Sequence, residues 1–375
     1  MSPKTRARGR AEAPDVPPEL TRIPGRRILV VSPVVQIRLG PGDRVLVSPG
    51  QKVTAGMPIA ERTCDPEFID VGRLNGATNG NGKGNGEGGW KGSQQERRRP
   101  PLPGKWWVGG DDRRGRNARR EGPRRLAGTL LYEINGRWSA AAGDRHEKVE
   151  SPTSGVIVEA ANCIGIAMKV TGIAIPAAVA GGQPTRGYLD VPRLVDGELR
   201  DTALDMGRSG AIVVAGGRVS AEALTRARAM SIRGMVAGSR GQAELRDLAA
   251  SEGRQRAALH SMPPFGVLGL DGHQRRPIAS PILALLAALA GREVAIITEP
   301  PLLVLDVVDV PLPELPRDWV RVRSGTHAGR EGRWLSSAGL HRFRAGIHLE
   351  AANVRLGDDL GPTIIAVADL ERFIL

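Results

Sequence analysis

Residues 319–334 read Trp319-Val320-Arg321-Val322-Arg323-Ser324-Gly325-Thr326-His327-Ala328-Gly329-Arg330-Glu331-Gly332-Arg333-Trp334. Apolar and basic side chains alternate from Val320 to Arg323, the period of a strand with one buried face. That geometry puts Arg321 and Arg323 together on the side opposite Val320 and Val322. Gly325, Gly329 and Gly332 follow, where a tight return of the chain needs conformational freedom, so the stretch predicts a β-hairpin. Ile347-His348-Leu349-Glu350 and Ile364-Ile365-Ala366-Val367 supply two further strands, set apart from the hairpin by a long connection over residues 336–346.

Upstream, the texture changes to a βα rhythm over residues 208–316. Ala211-Ile212-Val213-Val214, Gly234-Met235-Val236-Ala237, the apolar run 265–270 and Val294-Ala295-Ile296-Ile297 read as strands. Between them lie helical stretches from Ser220, an N-cap residue, to Met230, from Glu244 to His260, and from Ser280 to Ala290. Short continuous apolar strands joined by helical crossovers predict a parallel sheet covered on both faces. In such sheets ligands gather beyond the carboxyl ends of the strands. There the chain offers Gly216-Gly217-Arg218 and Gly238-Ser239-Arg240, two glycine loops with an arginine each, as an anion-binding candidate. Both loops also read as ordinary βα turns with a solvated arginine.

Further towards the N-terminus, Val47, Gly50, Val53, Gly56 and Ile59 fall at a three-residue interval, with glycine at the turns and branched side chains at buried positions. Residues 151–170 add two more strands, and Leu130 to Trp138 form a hairpin around Asn135-Gly136. Between these halves lies a Gly/Asn tract, then an arginine-rich stretch holding Trp106 and Trp107. Residues 74–125 are too polar and too biased to bury a core, and they read as a disordered insertion, as residues 1–27 read as a disordered basic tail.

The 375 residues carry 53 Lys+Arg against 40 Asp+Glu, a formal charge of +13. Residues 1–27 contribute seven basic and three acidic groups, and residues 91–125 twelve and four. The rest is nearly balanced, so the basicity belongs to flexible segments that attract phosphate without reading sequence. Arginine's excess over lysine also has a plainer source in a GC-rich coding sequence. Two cysteines, Cys64 and Cys163, exclude a disulfide framework and a four-cysteine zinc site. No apolar run reaches the length of a membrane span, and the N-terminus lacks the apolar core of a secretory signal. The expectation is a cytoplasmic protein with no membrane contact.

Two resemblances refine this reading. Residues 319–334 resemble the KOW motif, the hairpin of an SH3-like barrel in NusG-type transcription factors and some ribosomal proteins, with the three glycines and Val320 and Val322 in place. Residues 37–60 and 151–170 resemble the halves of a biotinyl/lipoyl-like barrel-sandwich hybrid. Ala167-Met168-Lys169-Val170 looks like the modified-lysine site of that family but lies off the hairpin that carries it, so Lys169 is expected to be an ordinary exposed strand residue. The fold expected is therefore a multidomain α+β chain. It comprises a barrel-sandwich hybrid (28–73 with 126–207), a small α/β parallel-sheet domain (208–316) and a C-terminal SH3-like β-barrel (317–375).

The chemistry-bearing residues form no catalytic set. The six histidines lack metal-ligand spacing, no Gly-x-Ser-x-Gly elbow occurs, and neither cysteine has a Cys-x-x-Cys partner. The KOW resemblance implies RNA or DNA, or a protein of the transcription or translation machinery, as partner. Arg321, Arg323, Arg330, Arg333, Arg342 and Arg344, interleaved with Trp334, are the candidate nucleic-acid contacts. No cofactor is expected. Two alternatives remain at this point: a protein-interaction scaffold, and a ligand-sensing α/β domain with accessory β modules.

Overall fold

The computed structural model describes residues 19–40, 42–63, 67–72, 106–108, 130–134, 137–142, 146–192, 199, 201–239, 241, 246, 250, 263–307, 310, 312, 314, 316–344, 346–357 and 361–374. The chain is mostly β-structure, arranged in five sheets with two α-helices among the described residues. The expected helix over 244–260 lies almost wholly outside them.

At the centre is a nine-stranded sheet. Thr185–Asp190, Ala211–Arg218, Gly234–Ser239 and Gly266–Gly269 run parallel in that order. The fourth expected strand, Glu293–Thr298, runs antiparallel to Thr185–Asp190 and to Pro301–Leu305. The sheet is thus mixed, and a boundary at 207/208 cuts through it, because Val30–Val31, Ile173–Pro176, Val179–Gly182 and Thr185–Asp190 all belong to it. An apolar strand reads alike in either direction; only its connection decides which way it runs, and here the last strand returns through the hairpin to Pro301–Leu305.

Both faces are buried, as continuous apolar strands require. On one, Ile212, Val214, Leu189, Val294 and Ile296 pack against Ile282, Leu285 and Leu286 of the helix Ser280–Ala288. On the other, Ala211, Val213 and Ala215 meet Ala223, Leu224 and Ala227 of the helix Ala221–Ala229. The Ser220 side chain caps that helix, accepting from the Ala223 amide at 3.1 Å. Further along the second face, Ala295, Ile297, Leu302 and Val304 join the core of two small sheets. One holds Val34–Arg38, Gly165–Val170, Gly155–Ala161 and Lys52–Val53; the other holds His146–Glu150, Pro58–Thr63 and Arg44–Val45. Val35, Ile37, Val53, Ile59, Ile157, Ile166 and Met168 fill the space between them, and Lys169 is exposed.

Two segments expected to lack structure contain strands. Trp106–Val108 pairs with Leu130–Ile134, extending a sheet that includes Arg137–Ala142 and Glu67–Gly72. In the N-terminal tail, Leu20 and Ile23 are buried on a short 3-10 turn, and Gly25–Arg27 runs parallel to Arg372–Ile374. Two apolar residues among prolines and arginines are too few to signal a core position, yet both point into the C-terminal sheet.

That six-stranded sheet has the order Gly25–Arg27, Leu370–Ile374, Trp319–Val322, Glu331–Arg342, His348–Leu356, Thr363–Ala366. Leu20, Ile23, Val320, Val322, Val354, Leu356 and Leu370 form its core.

Candidate nucleic-acid interface

The expected hairpin forms: Trp319, Val320 and Arg321 pair with Arg333, Gly332 and Glu331. A side chain on Gly332 would collide with the Arg355 carbonyl at 2.0 Å, so the close approach of the next strand requires glycine there. The arginines of this module then divide into two groups.

Arg321 corrects the sequence reading. It is 1% exposed and faces the protein interior. Its Nη1 lies 2.9 Å from Asp271 and 3.6 Å from Glu371, its Nε lies 3.8 Å from Glu331, and its Nη2 donates to the Pro277 carbonyl at 2.6 Å. Arg26 pairs with the same Asp271, lies 3.6 Å from Glu371, and donates to the Leu270 carbonyl at 2.9 Å. Glu331 in turn accepts from Trp319 Nε1 at 3.2 Å and from the backbone N–H of Ser280 at 2.9 Å. The helix Ser280–Ala288 starts after Ala279, which has no capping side chain, so a carboxylate from the C-terminal hairpin caps it across the interface. Two arginines and three carboxylates thus weld the N-terminal strand, the central sheet and the C-terminal sheet together. A guanidinium so enclosed reaches no phosphate.

The same welding corrects the anion-site reading. Gly216 and Gly217 lie within the strand Ala211–Arg218, at a bulge with Gly216 at φ +77°, rather than in a phosphate loop. The buried Ser239 hydroxyl donates to the Gly217 carbonyl at 2.8 Å. Gly238 is packed so tightly that a Cβ would meet the Arg276 carbonyl at 2.2 Å. Residues 276–277 also press on Gly329, whose Cβ position lies 3.1 Å from Pro277 Cδ. The space beside Gly238 is therefore taken by the protein's own chain. Arg218 ends its strand exposed and in register with Ser239; Arg240 lies outside the described residues.

The remaining candidate arginines of this module face solvent. Arg323 is half-exposed, 3.9 Å from Glu371, and Arg333 is 4.0 Å from Asp318. Trp334 is partly buried and packs against the sheet core at the base of the module. Arg330, Arg342 and Arg344 are exposed and form no ion pair among the described residues.

Arg342 and Arg344 sit on a feature the sequence reading missed. Residues 336–342 of the stretch expected as a connection instead continue the strand Glu331–Arg342 past the strand Trp319–Val322. The preceding strand pairs only as far as Arg333, and Thr363–Ala366 begins pairing only at Ala351. Beyond both limits only three pairs remain, Leu340–Glu350, His341–Leu349 and Arg342–His348, and they make a two-stranded arm that rises about 10 Å before its turn. Ser336, Ser337 and Gly339 disfavour strands and accompany two bulges, which hides the arm from a propensity reading. The tip closes through Gly346 N–H to the Phe343 carbonyl at 2.8 Å, with Gly346 at φ +76°.

Cross-strand register assigns the arm's two faces. Leu340 opposes Glu350 and Arg342 opposes His348 on one; His341 opposes Leu349 on the other. Phe343 lies edge-on to His341, ring centroids 5.2 Å apart. Leu340 is 71% exposed, Ile347 56% and Leu349 38%. The alternation Leu340-His341-Arg342-Phe343-Arg344 ahead of Gly346 is the signal that was available in the sequence.

A separate cleft lined by Arg186, Arg292, Glu293 and Asp306 has much of its charge matched internally: Arg186 pairs with Glu293, and Asp306 accepts from Thr153 and Ser154. Among the described residues no group of His, Cys, Asp and Glu is arranged to hold a metal, and no helix is long and apolar enough to cross a membrane. No family model matches the chain, and no curated protein is significantly similar to it.

Proposed function

We propose that this is a non-catalytic nucleic-acid-binding protein whose C-terminal sheet is a KOW/SH3-like barrel, docked through its base and presenting its arm to RNA or DNA. The two small sheets fit a barrel-sandwich hybrid serving as scaffold. The observation that carries this reading is the contrast among the arginines. Arg321 is enclosed by carboxylates, whereas Arg342 and Arg344 stand exposed on a projecting arm with no internal counter-ion among the described residues. Exposed guanidinium groups on a narrow ribbon suit phosphate, each contact releasing counter-ions.

The test is fluorescence anisotropy with a labelled single-stranded RNA across a salt series, using the full chain. Replacing Arg342 and Arg344 by Glu is expected to weaken binding at low salt. It should also flatten the salt dependence by about 1.4 in the log–log slope, the loss of two single-strand phosphate contacts. An unchanged affinity and slope would remove the arm from the interface.

A second reading rests on a different observation. Beyond Trp334 on one side and Ala351 on the other, the outer edges of the arm pair with no described strand, the Arg22–Glu350 ion pair at 3.2 Å being a side-chain contact only, so their backbone groups suit strand addition by a protein partner. Under that reading, proline placed in the arm's free edge abolishes capture of the partner while the Arg342/Arg344 exchange leaves it intact.

A further inference from the structure

Resting on the nucleic-acid reading, we infer that the arm binds unpaired bases, a single strand crossing its tip with Phe343 as the stacking platform on the His341 face and with Arg344 at the turn and Arg342 on the opposite face reaching its phosphates. The arm is more apolar than phosphate binding alone requires. Leu340, Phe343, Ile347 and Leu349 accompany only two arginines, and three of these four are more than a third exposed. A duplex keeps its base faces stacked inside and offers little to such a surface. An unpaired strand offers both bases and phosphates along one line.

The order of residues along the arm points the same way. Arg344, exposed, stands at the turn beyond Phe343, while Leu340 and Leu349 sit further back on the two strands. An arm built to dip into a bilayer, or to wedge between stacked base pairs, would carry apolar groups at its tip and charge behind them. Here the charge leads. Phe343 lies edge to face with His341 and is itself partly exposed, so that the ring is steadied by its neighbour without being buried.

The experiment compares four full-length proteins: unaltered, Phe343→Ala, Phe343→Leu, and the double change Arg342→Ala with Arg344→Ala. The probes are a labelled single-stranded RNA, the same strand annealed to its complement, inorganic polyphosphate as a base-free competitor, and vesicles of mixed anionic and neutral phospholipid. Phe343→Ala and Phe343→Leu are expected to lower single-strand affinity by about tenfold, in the range of one lost stacking contact, with the salt slope unchanged. Leucine keeps the apolar bulk without the ring, so its failure to rescue marks stacking. The arginine change should instead flatten the slope, and polyphosphate should compete weakly. Equal binding of single strand and duplex, indifferent to Phe343 but reduced by the arginine change, would overturn the base-stacking inference and leave the nucleic-acid reading in place. Indifference to all variants would overturn both. Vesicle binding that is lost with Phe343→Ala, without RNA binding, would make the arm a lipid contact and overturn both as well.

Discussion

The strand Glu331–Arg342 begins between two neighbours and ends with one. At its start, Glu331 is tucked against Arg321, Trp319 and the first amide of a helix in another sheet's cover. At its end, Arg342 faces solvent opposite His348. The neighbour at the base, Trp319–Val322 with Arg323 after it, and the far end, Leu340–Arg344, both interleave arginine with apolar residues, and they have opposite energetics. A buried guanidinium must be matched by carboxylates or its desolvation goes uncompensated; an exposed one has almost no effect on folding and remains available to a ligand. The comparison shows that charge count along a strand says little about binding until its neighbours are known.

Substitutions at the base should break this contrast most severely. Arg321→Met removes the one cation that touches Asp271, Glu371 and Glu331 together, leaving buried carboxylates short of a partner. Denaturant unfolding should show a loss of about 3–5 kcal/mol; a loss below about 1 kcal/mol would mean the cluster is dispensable. Leu20→Ala should cost about 3 kcal/mol, the usual scale for a buried leucine truncated to alanine, because Leu20 is part of the C-terminal core. A neutral result would detach the N-terminal turn from that core. Smaller again is Glu331→Gln, which keeps the shape but removes the charge from the helix cap. We expect about 1–2 kcal/mol in the same assay. At the far end of the scale, Arg342→Ala with Arg344→Ala should change stability by less than about 0.5 kcal/mol. A larger cost would show that the arm's arginines have structural partners.

Much of the base was legible in the sequence. The Val320/Val322 alternation, the glycines at 325, 329 and 332, and the Ser220 cap each express a local rule that the structure obeys. The two-faced burial of the central sheet was likewise visible in its unbroken apolar strands. Arg321 was not, because alternation identifies the face away from its own core but not whether another sheet lies there. Its partners Asp271 and Glu371 are remote in sequence and carry no motif. Gly216 and Gly217 resembled a loop because a bulge and a turn call on the same residue for the same backbone freedom. The arm was hidden for the converse reason: serines and glycine in a strand look like a connection until the register is seen.

The most direct single measurement is hydrogen–deuterium exchange of the full chain, free and with single-stranded RNA. In the free protein, amides of Trp319–Val322 and Leu370–Ile374 should exchange only through global unfolding, and those of residues 337–350 much earlier through local opening. Adding RNA should slow the second set alone. Early exchange at the base, or slowing by RNA at 319–323 in place of the arm, would contradict the division between a docked base and a binding arm.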